Sequence, residues 1–203
     1  MPEVLDPYAL TTLARVKAML GITGSTHDDV LTRLINAVSA YIEKYVGRGI
    51  LARDHDAYYP SEHGDSFLIP EFPINSVAAL AIGTVGGTYT AYGAADENDD
   101  WSCDYKVGIL YVHSTRFYTD VRGVHLQYNA GYAATPHDLE EMCIRLVVNR
   151  YQQGGTTSTH EVESERVGDY SVSYHFSDAD LTDVDREILG MYRRCEPGWG
   201  RSA

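Results

Sequence analysis

The chain has 203 residues, 44% hydrophobic and 22% charged, with a formal net charge of -13 at pH 7. This composition suits a globular domain with a substantial core; it excludes a disordered chain, and no apolar run approaches the ~20 residues that a bilayer-spanning helix needs. The acidic balance also argues against a protein that grips nucleic acid by neutralising phosphates, which takes a basic face.

The N-terminal MPEVLDPYAL has neither the basic start nor the apolar stretch of a secretory signal, so synthesis in a cytoplasm is the expectation. From Leu10 to Arg48 the chain reads as two amphipathic helices. Leu13, Val16, Met19 and Leu20 form a small stripe on the first, and Gly21 to Gly24 breaks it. In the second, Val30, Leu31, Leu34, Ile35, Val38, Ile42, Tyr45 and Val46 recur at i, i+3, i+4 and i+7, the spacing of one apolar face. Ser25 or Thr26 is the expected cap. Asp28 and Asp29 suit the positive end of the helix dipole, and Gly47 the exit.

After Arg48 the period changes from helical to alternating. HDAYYP, DSFLIP, SVAALAI, TYTAY, ILYVH and GVHLQYNAG are short strand candidates, so residues 53 to 130 read as antiparallel β structure. Val85 to Thr88 is a turn, and Asp96 to Asp100 an acidic surface loop before Trp101. Helical spacing returns after Thr135, with Pro136 at the first position and Leu139, Met142, Cys143, Leu146, Val147 and Tyr151 on one face. Leu34, Val38, Leu146 and Val147 are expected in one buried helical core.

Residues 152 to 160, QQGGTTSTH, read as a loop, and Glu161 to Phe176 as a hairpin turning at Gly168-Asp169. A last helix begins near Thr182, with Val184, Ile188, Leu189 and Tyr192 on its apolar face and an end before Pro197-Gly198. Between Glu161 and Gly190 nine acids face only Arg166 and Arg186. The tail beyond reverses sign, with Arg193, Arg194 and Arg201 against Glu196. Tyr192, Arg193, Arg194, Trp199 and Arg201 combine the residue types that dominate interface hot spots, and they are the candidate partner-binding residues.

Catalytic and metal-binding patterns are weak throughout. Eight histidines include no HExxH, and His55-Asp56, His63-Gly64-Asp65 and His137-Asp138 lack ligand spacing. Gly83 to Gly87 superficially resembles a phosphate loop, but no GK[ST] ends it and no helix follows. Cys103, Cys143 and Cys195 fit neither a CxxC nor a zinc ribbon, so they read as reduced thiols, with Cys143 filling a helix core. No catalytic, cofactor or metal residue is named, and the chain reads as a non-enzyme.

Four segments carry a family resemblance: LTTLARVKAMLGITGSTHDDVLTRLINAVSAYIEKYVGR, FPINSVAALAIG, VHLQYNAGYAATPHDLEEMCIRLVVNRYQ, and VGDYSVSYHF followed by ILGMYRR. In this order the chain resembles the head-to-tail connector, or adaptor, proteins of tailed bacteriophages and gene transfer particles. The resemblance implies an α+β fold. A core of three to four helices would carry an inserted antiparallel β region at 53 to 130, then a C-terminal hairpin, helix and tail at 195 to 203, all within one connector domain of residues 1 to 203. It further implies a homo-oligomeric ring, commonly a dodecamer, assembled in the host cytoplasm into the neck of the virion. Its partners would be the portal protein on one side and a stopper or tail component on the other. DNA would pass through the lumen without specific binding, and neither cofactor nor membrane is implied. Tyr132 matches a family position and reads as a packing residue.

Two other classes have a sequence basis. A carbohydrate- or protein-binding β module, such as a virion decoration protein, would use Tyr58, Tyr59, Tyr89, Tyr92 and Trp101 as exposed aromatics. A small hydrolase would use His55, His63 and Asp65.

Overall fold

The computed structural model describes residues 3–84, 86–113, 115–155 and 181–193. They fall into two compact units, one formed by the residues up to Gly47 with those from Thr135 to Arg193, the other by Arg48–Ala134. The architecture is the α+β arrangement expected, a helical core whose chain is interrupted by an inserted antiparallel β region.

The helical unit contains α1 (Leu13–Leu20), α2 (Asp28–Val46), α3 (His137–Gly155) and α4 (Asp183–Met191). Leu31, Leu34, Ile35, Val38 and Ile42 of α2 are fully buried against a face of α3 made by Leu139, Met142, Cys143, Leu146 and Val147. Both helices therefore bury the stripes that their periodicity marks out. Burying each such Leu or Ile contributes about 1.5–3 kcal/mol relative to leaving it exposed. Burial also pushes the Cys143 thiol up to about 12, as expected of a core-filling cysteine. Gly21 ends α1 at φ 68 and Gly47 ends α2 at φ 75, left-handed conformations in which a Cβ is strained.

Three local expectations change. The cap residue of α2 is His27, not Ser25 or Thr26, and its side chain makes no capping bond. The Asp28 N–H bonds the Ser25 carbonyl in a turn before the helix, and the His27 ring meets Tyr151 edge-on at 5.7 Å. Met19 is 63% exposed, so only Val16 of the α1 stripe is buried. The third helix continues through Gly155, so residues 152 to 155 belong to its end and not to a loop. The rest of that loop and the hairpin at 161 to 176 lie outside the described residues.

The segment before α1 is tied along α2 by side-chain bonds. Asn36 accepts the Asp6 N–H and donates to the Val4 carbonyl, both at 2.9 Å, and Ser39 Oγ accepts the buried Leu10 N–H at 3.0 Å.

The β unit has strands β1 (Arg53–Ser61), β2 (Ser66–Leu68), β3 (Ile74–Ile82), β4 (Thr90–Gly93), β5 (Trp101–Asp104), β6 (Ile109–Val112) and β7 (Asp120–Ala130). One antiparallel sheet has the order β1-β7-β3-β4 and a second the order β2-β6-β5. A single core of Phe67, Leu80, Trp101, Leu110, Phe117 and Leu126, among others, serves both sheets. In the central strand β7, Val124, Leu126, Tyr128 and Ala130 are buried while His125, Gln127 and Asn129 between them are half-exposed, the period of two that a one-sided sheet requires. Strand β5 is an addition to the expected set. At the expected turn the Gly87 N–H donates to the Thr84 carbonyl, and Gly86 has φ 80; Val85 lies outside the described residues.

The two ends of the β unit are clasped together. The Tyr132 N–H donates to the Ile50 carbonyl at 2.8 Å and the Ala52 N–H to the Tyr132 carbonyl at 2.9 Å, a parallel bridge centred on Leu51 and Tyr132. Gly131 donates to the Pro73 carbonyl, and Arg48 bonds the Phe72 carbonyl with its guanidinium 3.8 Å from the Phe72 ring centroid. Gly131 has φ 116, and a Cβ there would stand 2.6 Å from the Leu51 backbone. Gly131→Ala is therefore expected to destabilise the chain by on the order of 1–3 kcal/mol, read as a lower midpoint in denaturant unfolding. An unchanged midpoint would remove this clasp from the account of stability.

Candidate functional site

The residues proposed from sequence for catalysis do not come together. His55 stacks on Tyr128 at 4.8 Å, His63 is exposed and bonded through its backbone to Thr119, and Asp65 is exposed. Among the described residues no group of three His, Cys, Asp or Glu side chains is placed to hold a metal ion. Cys103 is half-buried, and burial together with the nearby Glu97 and Asp104 carboxylates raises its thiol to about 11.

The aromatic residues that suggested a binding module are likewise dispersed. Trp101 is fully buried, with its indole N–H donating to the Gly93 carbonyl at 3.1 Å, so it presents no surface. Tyr59 and Tyr92 pack against the β core, and the Tyr59 hydroxyl meets that of Tyr128 at 2.7 Å. Only Tyr58 and Tyr89 remain as a pair. Tyr58 stacks on His125 at 4.2 Å and meets Tyr89 edge-on at 5.9 Å. Beside them His125 lies 2.6 Å from Asp56, whose carboxyl that hydrogen bond holds below its ordinary value. Gln127 also donates to Asp56, while Asn129 donates to Asp54. The polar side chains of this sheet face are thus tied to one another.

In the helical unit a groove opens between α1, α3 and α4. Met142 forms its floor, Val148 and Ile188 are half-buried in its walls, and the exposed Met19 overhangs it. Asp138 and Glu141 stand at its rim. At one side Arg145 pairs with the buried Asp185, which also accepts from the Thr182 backbone and hydroxyl and so closes a capping box at the start of α4. Burial alone would raise the Asp185 carboxyl; the Thr182 bonds and Arg145 outweigh it and hold the group below its ordinary value. This network turns α4 from its expected orientation. Asp185 and Leu189 face inward, and Val184, expected on the apolar face, is 64% exposed.

Of the five candidate partner-binding residues, two are described. The Tyr192 hydroxyl donates to Asp138 at 2.9 Å, and the Arg193 guanidinium lies 5.6 Å from the Tyr45 ring centroid. Both anchor the end of α4 inside the helical unit. Arg194, Trp199 and Arg201 lie outside the described residues.

A family model described as "Head completion protein" matches residues 9–195. A comparison with curated proteins finds no match. Among solved structures, a chain in the neck of an empty gene transfer agent (GTA) particle, computed with C6 symmetry, has a TM-score of 0.59 at 18% identity, with 98% of this chain and 97% of that one covered. A chain in the neck of the native GTA particle, computed with C12 symmetry, gives 0.55 at 18% identity over the same shares. One in the virion of the native GTA particle gives 0.58 at 16% identity, covering 99% and 98%. At these identities the likeness is one of fold.

The Asp185 network carries a pH dependence whose sign follows from its direction. With its folded-state value lowered from 3.8, Asp185 contributes stability that is whole above about 3.8 and is lost as the pH falls through the lower folded-state value. Asp185→Asn is expected to lower stability at neutral pH and to flatten the loss on acidification, measured by urea unfolding at a series of pH values. A variant with the wild-type acid slope would contradict this assignment.

Proposed function

This chain belongs to the head completion protein family, and from that premise we propose that it forms a ring in the neck of a phage-like particle, joining the portal of the filled head to the tail. Members of this family are structural components, so the chemistry at issue is packing and docking. The observation that carries the reading is the family match over residues 9–195 together with the likeness of fold, over nearly the whole chain, to chains in GTA necks.

The physical character of the molecule supports the reading. Among the described residues the buried apolar side chains pack into a core in each unit, and polar side chains on the β sheet and at the start of α4 bond one another. With a net charge of -13, the lumen of such a ring would repel phosphates and let DNA pass without sticking, a property of a conduit. The portal would bind one side of the ring and a stopper or tail component the other.

Within this reading the C-terminal residues meet the portal. Trp199 supplies apolar burial, and Arg194 and Arg201 make bidentate bonds to carboxylates, while Tyr192 and Arg193 hold the root of the tail on the helical unit. Negative-stain imaging of the purified chain mixed with portal is expected to show a ring coaxial with the portal; a chain that stays monomeric beside intact portals would overturn the proposal. Deleting residues 196–203 is expected to leave ring formation intact while weakening portal attachment, with Trp199→Ala reproducing part of that loss in a co-sedimentation assay. Wild-type attachment by the truncated chain would move the portal contact elsewhere.

A further inference from the structure

We propose that the outward face of α4 docks on the outward face of α1 in a second copy of this chain, joining copies head to tail. The contact rests on the ring reading above and names the two surfaces that would close the ring.

The first surface is a ridge. The bonds that turn Asp185 inward together with Leu189 leave Val184, Ile188 and Met191, at i, i+4 and i+7, on another side of α4. Val184 is 64% and Met191 68% exposed, while Ile188 is half-buried. An apolar stripe over two turns is what an amphipathic helix ordinarily buries. Met19 of α1, exposed as well, extends the ridge, because Met19 and Ile188 line one groove.

The second surface is an open hollow on α1, lined by Leu13, Ala14, Lys17, Ala18 and Ile22. Ala14 and Ala18 are exposed, and Leu13 and Ile22 half-buried. At about 100° per residue, Leu13, Ala14, Lys17 and Ala18 centre about 170° round the helix from Met19. Ridge and hollow therefore lie on different sides of α1, the arrangement that a head-to-tail contact needs.

Shape and charge select the hollow of a second copy over its ridge. Val184 and Met191 stand out, whereas Ala14 and Ala18, four residues apart, leave a low row into which an i, i+4 ridge packs. Asp183 and Glu187 are exposed beside the ridge, so ridge on ridge would bring like charges together. Lys17 is the only charged residue lining the hollow among the described residues, and α1 carries no acid. The Lys17 ammonium bonds Asp28 at 2.6 Å, and its three N–H donors let it also meet Glu187 of the second copy.

Sedimentation velocity of the purified chain over a range of concentrations tests the contact. The wild type is expected to associate beyond dimers. Met191→Glu on the ridge and Ala18→Glu in the hollow should each weaken association roughly tenfold or more. Both positions are exposed, so the circular dichroism spectrum and the thermal midpoint should not change. An equimolar mixture of the two variants retains one intact ridge and one intact hollow, and it should form dimers and stop there. Wild-type association by either variant would overturn the proposal, as would a mixture that stays monomeric. A wild type that stops at dimers, or is monomeric at every concentration, would overturn it too. Imaging of the wild type with portal decides the ring reading separately: a ring there, with association unimpaired in both variants, removes this contact and leaves the ring.

Discussion

The clasp at the root of the β unit is the constraint on which the rest of this structure depends. An insertion of more than eighty residues between two helices leaves its ends to be brought together, at a loop-closure cost that grows slowly with length. Here the cost is met by backbone bonds between Ile50, Ala52 and Tyr132, and by Arg48 lying over Phe72. Gly131 makes the approach feasible. Its positive φ turns the chain directly out of β7, and the missing side chain leaves room for the Leu51 backbone. Since β7 is hydrogen-bonded on both sides, to β1 and β3, the clasp is continuous with an interior strand of its sheet.

Much of this was readable from residue order because packing leaves a period. The 3.6-residue stripes of α2 and α3 and the two-residue alternation of β7 are imposed by a single apolar surface on each, so the sequence carries them openly. Features that depend on two distant segments are hidden. Strand β5 follows the acidic run from Asp96 to Asp100, and nothing local reveals that Trp101 lies at the centre of the β core. In α4 hydropathy favours Val184 as an inward residue, yet the bonds from Thr182 and Arg145 to Asp185 place a carboxylate inside instead. Ser25 and Thr26 look like helix caps, but the ring of His27 finds Tyr151 on α3. The groove is still less accessible to sequence reading, since its walls come from three elements that share no motif.

The same distinction explains why no catalytic constellation emerges from the histidines and carboxylates among the described residues. His55 and His125 are taken up by aromatic stacking, Asp54 and Asp56 by cross-strand hydrogen bonds, and Asp185 by a helix start. These side chains rigidify a scaffold. A protein that must fit between other proteins needs pre-ordered surfaces more than perturbed acids and bases, and that is the balance found in a chain of the head completion family.

The most direct test of the account is a cryo-electron microscopy reconstruction of the neck of particles assembled with this chain. The account predicts a ring of copies encircling the DNA channel between head and tail, each copy contributing one helical and one β unit. Particles in which the chain decorates the capsid surface, lies at the far end of the tail, or is absent from the neck altogether would contradict it.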